Sequence, residues 1–112
     1  MAEGCVLRVF VSESTKYEGR PLYEWLVVKA KEANLASAAV FRGIMGFGPK
    51  HRNIQTFKIE RLSGDLPVVV EIFGYGERLD RFLKTVDPAI GLGMVTREQV
   101  TFQMHEGMEE GS

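Results

Sequence analysis

Cysteine is almost missing from this chain: Cys5 is the only one. No intrachain disulfide can close, so a small secreted scaffold held by bridges is excluded, and a reducing cytoplasm is the expected setting. Histidine is nearly as scarce. His51 and His105, even with Cys5, offer no zinc-ligand spacing. No apolar run approaches the ~18 residues of a membrane span, and no basic stretch followed by an apolar one suggests secretion. Membrane insertion is therefore not expected. Excess charge of one sign is also lacking: 14 Lys and Arg stand against 15 Asp and Glu, a net charge of −1. A general attraction to nucleic acid is not expected from that balance. Repeats and low-complexity tracts are absent as well.

What remains is an ordinary globular composition, 45% hydrophobic and 26% charged over 112 residues. That length suits one domain with one core, here residues 1–104, followed by a flexible acidic tail at 105–112. Val6 to Val11 reads as a strand. Pro21 stands at the first helical position, and the helical stripe is Leu22, Tyr23, Leu26, Val27, Ala30 and Ala33, ending at Asn34. Trp25 and Val28 fall outside it and are expected either on the surface or against another subunit. A second strand is expected from Ala38 or Ala39 to Met45, a short one within Ile54–Leu62, and a further one over Val68–Phe73. Leu79, Phe82, Leu83 and Val86 match a second amphipathic helix, closed by Asp87-Pro88. Met94–Thr96 and Val100–Met104 supply the last strand material. The order β-α-β-β-α-β is that of the ferredoxin-like α+β fold: a four-stranded antiparallel sheet with two helices on one face.

Two helices cover one face only. If Leu7, Val9 and Val11 face them, then Val6, Arg8 and Phe10 face away, with Val69, Glu71, Phe73 and Arg42 beside them. Such a mixed face suits burial against copies of the same chain, and a homotrimer is expected. Arg8 should then lie near Glu71.

The stretch Ala36–Arg52 carries the clearest functional signal. Gly43, Gly46 and Gly48 surround Phe47, and Lys50, His51 and Arg52 follow. Glycines let backbone amides converge on an anion, and the basic residues balance its charge. A phosphate is the expected guest. The run is neither a P-loop, because Pro49 separates Gly48 from Lys50, nor a dinucleotide fingerprint, which needs a parallel βαβ unit. Phe47 either stacks on a base or anchors the loop. The RNA-binding use of the ferredoxin-like sheet lacks its aromatic and basic pattern.

At Arg-Gly-Ile-Met-Gly-Phe-Gly, residues 42–48, the chain resembles the PII-like domain-of-unknown-function family one-ninety. Pro-Leu-Tyr-Glu at 21–24, Asp-Leu-Pro at 65–67 and Gly-Met-Val-Thr at 93–96 extend the likeness. The resemblance implies a trimer with sheets inside and helices outside, similar to PII signalling regulators that bind adenine nucleotides between subunits. It implies no required cofactor, with AMP or ADP as ligand and an unknown protein as partner. Carried over by position, the ligand set is Arg42, Gly43, Gly46, Phe47, Gly48, Lys50, His51, Arg52, Gly91, Leu92 and Gly93. Leu92 and Met94 stand where PII proteins have an acid and a phosphate-binding lysine, so a monophosphate or a different nucleotide is favoured over a triphosphate. Two alternatives stay open: a small enzyme using His51 on a phosphorylated substrate, and a structural or partner-binding trimer without a small ligand. No Ser or Cys nucleophile stands near His51 with an orienting group, so an enzyme is not expected.

Overall fold

The computed structural model describes residues 2–49, 52–57, 65–91 and 93–105. The elements are β1 (Ala2–Ser12), β2 (Lys16–Tyr17), β3 (Arg20–Pro21), α1 (Leu22–Glu32), β4 (Ser37–Arg42), β5 (Met45–Gly46), β6 (Gln55–Thr56), β7 (Pro67–Gly74), α2 (Gly76–Ile90) and β8 (Met94–Phe102). The main sheet is antiparallel, in the order β4-β7-β1-β8. Both helices lie on one face. The ferredoxin-like α+β architecture expected from the sequence is the one observed. No helix among the described residues is long and apolar enough to cross a membrane.

The alternation of β1 and β7 produces the core. Leu7, Val9, Val70 and Ile72 are fully buried and pack with Leu22, Leu26, Leu79 and Phe82 of the helices. On the opposite face Arg8 lies across from Glu71 and Phe10 from Val69. Arg8 Nε meets Glu71 Oε2 at 3.0 Å and its Nη1 meets Glu98 Oε1 at 3.0 Å. Those two bonds, Glu98 first, hold the Arg8 guanidinium above its ordinary pKa.

Several details differ from the sequence expectation. Pro21 is the residue before α1, extended at ψ 136°, and Leu22 opens the helix. Trp25 is buried within the chain at 8% exposure, because the β2–β3 hairpin brings the Tyr17 ring edge-on to it at 4.6 Å. Glu18 and Gly19 both take positive φ, 51° and 80°, as the tight turn of that hairpin requires. Asn34 has φ 57°, the left-handed geometry expected at the end of the first helix. The second strand stops at Arg42 instead of Met45. Within Ile54–Leu62, Gln55–Thr56 is a strand and residues 58–62 lie outside the described residues.

Pro88 does not close α2, which runs on to Ile90. In the last turn a proline forfeits only one helical hydrogen bond, while Ile90, 6% exposed, gains a place in the core. The buried residues of α2 are Leu79, Phe82, Val86 and Ile90; Leu83 is only partly buried. The last strand is continuous from Met94 to Phe102, because backbone pairing to β1 does not depend on the polar side chains between. Arg42 belongs to the helix side, since it pairs with core-facing Val68.

Candidate functional site

The chain leaves the sheet edge at Gly43. A Cβ there would fall 2.9 Å from the Pro67 ring, and the Gly43 amide donates to the Pro67 carbonyl at 2.8 Å. Only glycine fits so close an approach. Met45 and Gly46 then pair with Thr56 and Gln55, so a short hairpin holds Phe47 to Pro49 away from the sheet. From the other side, α2 ends at Gly91 with φ 62°, and the Gly93 amide donates back to the Ile90 carbonyl at 3.1 Å. A Cβ on Gly93 would lie 2.9 Å from the Phe10 carbonyl oxygen.

Between these two segments lies a cleft of about 240 Å³. Gly46, Phe47 and Gly48 line one side of it, and Gly91 and Gly93 another. Leu22, Ile90 and Val11 make it largely apolar, while Ser12, Thr15, Gln55 and Asp65 add polar groups. Asp65 accepts a hydrogen bond from Ser14 Oγ at 2.5 Å. The glycine loops that the sequence sets far apart therefore meet within one chain.

Other expected site residues stand outside the cleft lining. Arg52 stacks its guanidinium over Phe47, 4.6 Å from the ring centre, and its Nη1 donates to the Gly48 carbonyl at 3.5 Å. Arg42 pairs with Glu13 at 3.0 Å and lies over Phe57 at 5.6 Å. Gly43 serves the turn against Pro67. Lys50, His51 and Leu92 lie outside the described residues. Thr15, Leu22, Gln55, Asp65 and Ile90 were not expected in the site from sequence; among them Leu22, on a helical stripe, Gln55, in the Ile54–Leu62 strand segment, and Asp65, in Asp-Leu-Pro, lay in segments that drew notice. Among the described residues no group of three or more His, Cys, Asp or Glu is placed to hold a metal ion.

The hairpin also carries an apolar surface. Ile44 is 77% exposed and Ile54 63%, with Met45 and Phe57 exposed beside them. A clustered apolar surface of this sort marks contact with something else.

Comparison with known proteins gives the lineage. Residues 4–102 match the DUF190 family, described as an uncharacterized ACR. A UPF0166 protein of Aquifex aeolicus is 42% identical over 95 residues, covering 85% of this chain and 89% of that one. A UPF0166 protein of Methanocaldococcus jannaschii is 32% identical over 83 residues, 74% and 75% of the two chains. Among solved structures, CPII, a nitrogen regulatory PII-like protein from Thiomonas intermedia K12 bound to ADP, AMP and bicarbonate, superposes with a TM-score of 0.65. It covers 88% of this chain and 87% of its own at 12% identity, so the likeness is one of fold. The same protein bound to ADP and bicarbonate gives a TM-score of 0.63 at 13% identity, over 88% and 87% of the chains. The chain belongs to the DUF190 family and has the PII-like form of the ferredoxin-like fold.

Proposed function

We propose that the protein is a PII-like, homotrimeric binding and signalling module that takes an adenine nucleotide, AMP or ADP, at this cleft. The observation that carries the proposal is the convergence of Gly46, Phe47 and Gly48 with Gly91 and Gly93 on one cleft. These are the two segments that resemble the ligand loops of PII regulators, and CPII structures of this fold hold ADP and AMP. Occupancy of the cleft is read out by the β5–β6 hairpin, whose exposed apolar side chains offer a partner a surface that ligand contacts reposition. Binding, not turnover, is the output. The exposed hairpin also supports a second reading, a partner-binding trimer with no small ligand.

Thermal shift separates the two. A ligand bound only by the native state stabilises it, by about 2.7 kcal/mol at one hundred times its Kd. A rise in Tm with AMP or ADP is expected; no shift with either at millimolar concentration removes the nucleotide reading.

Two substitutions test the loop. Gly48→Val is expected to weaken AMP binding without loss of stability, because a Cβ at Gly48 meets nothing within 4 Å among the described residues and Gly48 lines the cleft. Arg52→Ala should cost about 1.5–3 kcal/mol of AMP affinity, the range for a hydrogen bond to a charged group. Calorimetric titration of both variants checks this. Unchanged affinity in both leaves the loop without a part in binding.

A further inference from the structure

We propose that the groove between α1 and α2 is a docking surface for an acidic polypeptide segment of a partner protein. The proposal goes beyond the nucleotide reading and does not depend on it.

The helical layer has two ends. The cleft takes Leu22 from the start of α1 and Ile90 from the end of α2. The groove lies at the other end, where Lys29, Glu32 and Ala33 near the α1 C-terminus stand beside Arg78, Arg81 and Phe82 of α2. It encloses about 550 Å³ and shares no lining residue with the cleft.

Three cations and one carboxylate line this groove, in a chain whose net charge is −1. The carboxylate, Glu32, already accepts from Lys29 at 3.3 Å. Part of the positive charge serves the fold. Arg78 donates to the Asn34 carbonyl at 3.0 Å and so covers the end of α1, and Lys29 lies 5.6 Å from the centre of the Trp25 ring. Capping accounts for one N–H of Arg78 and for nothing of Arg81. The Arg81 side chain is exposed and makes no hydrogen bond or ion pair among the described residues, although Glu77 stands one turn earlier on the same helix. Asp80, the acid next to Arg81 in sequence, is taken by Arg97.

The charge is spread along the groove. Arg78 and Arg81 differ by about 4.5 Å of rise on one helix, and Lys29 belongs to the other. A segment bearing several carboxylates matches that spread, and a guanidinium can hold a carboxylate bidentately. Ala33 and the nearly buried Phe82 give the groove an apolar floor for the side-chain stems. A long polyanion such as nucleic acid fits less well, because Glu24, Glu77 and Asp87 are exposed on the same two helices. Both helices lie on the sheet face opposite the one proposed for trimer contact, so the groove stays open in either oligomeric state.

Fluorescence anisotropy of a fluorescein-labelled oligoglutamate peptide, titrated with the full chain, tests the surface. Binding is expected at low ionic strength and should weaken as salt is added. Arg81→Glu, which breaks no bond within the described residues, should weaken it at least about threefold, and Arg78→Glu with Arg81→Glu at least about tenfold. Lys16→Glu with Arg20→Glu reverses two exposed cations of the β2–β3 hairpin, an equal change in net charge, and should leave affinity within about twofold. No binding by the parent chain, or binding that survives the groove reversals, overturns the proposal. Full displacement of the peptide by equimolar inorganic phosphate also overturns it, and marks a small-anion site instead. None of these outcomes bears on the cleft, which AMP titration reads separately.

Discussion

Replacing Phe82 by alanine should lower the stability of the fold by about 3–5 kcal/mol, the usual cost of deleting a buried aromatic ring. Phe82 is 3% exposed and lies in the core between α2 and the sheet. The ring is too large for its neighbours to close over the space it leaves, so a cavity term adds to the lost transfer free energy. The neighbouring Leu83→Ala should cost much less, about 1 kcal/mol, because Leu83 is only partly buried and its site opens to water. Urea unfolding of the two variants checks the contrast. Equal costs would mean that α2 is rotated about its axis relative to the arrangement described here.

That pair also shows where sequence stops being informative. The template i, i+3, i+4, i+7 puts Leu79, Phe82, Leu83 and Val86 on one helical face and cannot rank them. The three-dimensional contact does so by extending the helix through Pro88 to Ile90, which turns the buried line toward Phe82 and away from Leu83. Strand alternation was easier to read, since a period of two leaves only two choices of face. Leu7 and Val9 inward, with Arg8 opposite Glu71, follow from it directly. Arg42 defeated the same logic because β4 begins at Ser37, which sets the phase that puts Arg42 with Val68.

The site divides in a similar way. Glycines clustered at 43–48 and 91–93 are visible as sequence, because few other roles account for such spacing beside a strand end. Their meeting is a property of the topology: the connection after β4 and the end of α2 come together at one end of the sheet. Thr15 and Asp65 reach the cleft through a backbone bond from Glu13 to the Leu66 carbonyl, 2.9 Å, which ties two distant segments. Nothing local in either segment announces that tie. Trp25 is a comparable case. Its cover is a hairpin turn at Glu18-Gly19, a weaker turn signal than Asn-Gly, and without that cover the ring reads as surface.

The proposed trimer should dissociate when Val69 becomes glutamate. Val69 stands directly between Phe10 and Phe41 on the face of the sheet away from the helices, and Phe41 is 54% exposed. The charges next along that face are Arg8, Glu71 and Glu98, and Arg8 pairs with both carboxylates at 3.0 Å. Each of these charges already has a partner within the chain. The Glu98 side chain, 61% exposed, keeps contact with water, so another copy can cover the apolar part of the face, as a trimer with its sheets inside would require. A glutamate at Val69 has no cation opposite it: its lateral neighbours are two phenylalanines. In a solvated monomer the change would cost about 1 kcal/mol, because Val69 is partly exposed and a carboxylate there still reaches water. At a subunit interface it strands a carboxylate in an apolar contact, which costs far more than a single interface side chain returns. Light scattering should accordingly show a trimer for the parent chain and a threefold smaller mass for Val69→Glu, with the far-ultraviolet circular dichroism of both alike. A parent chain that is monomeric at micromolar concentration ends the trimer proposal. Titrating AMP into the monomeric variant then tells whether the cleft suffices alone: retained affinity assigns the site to one chain, and lost affinity places a neighbour's side chains within it.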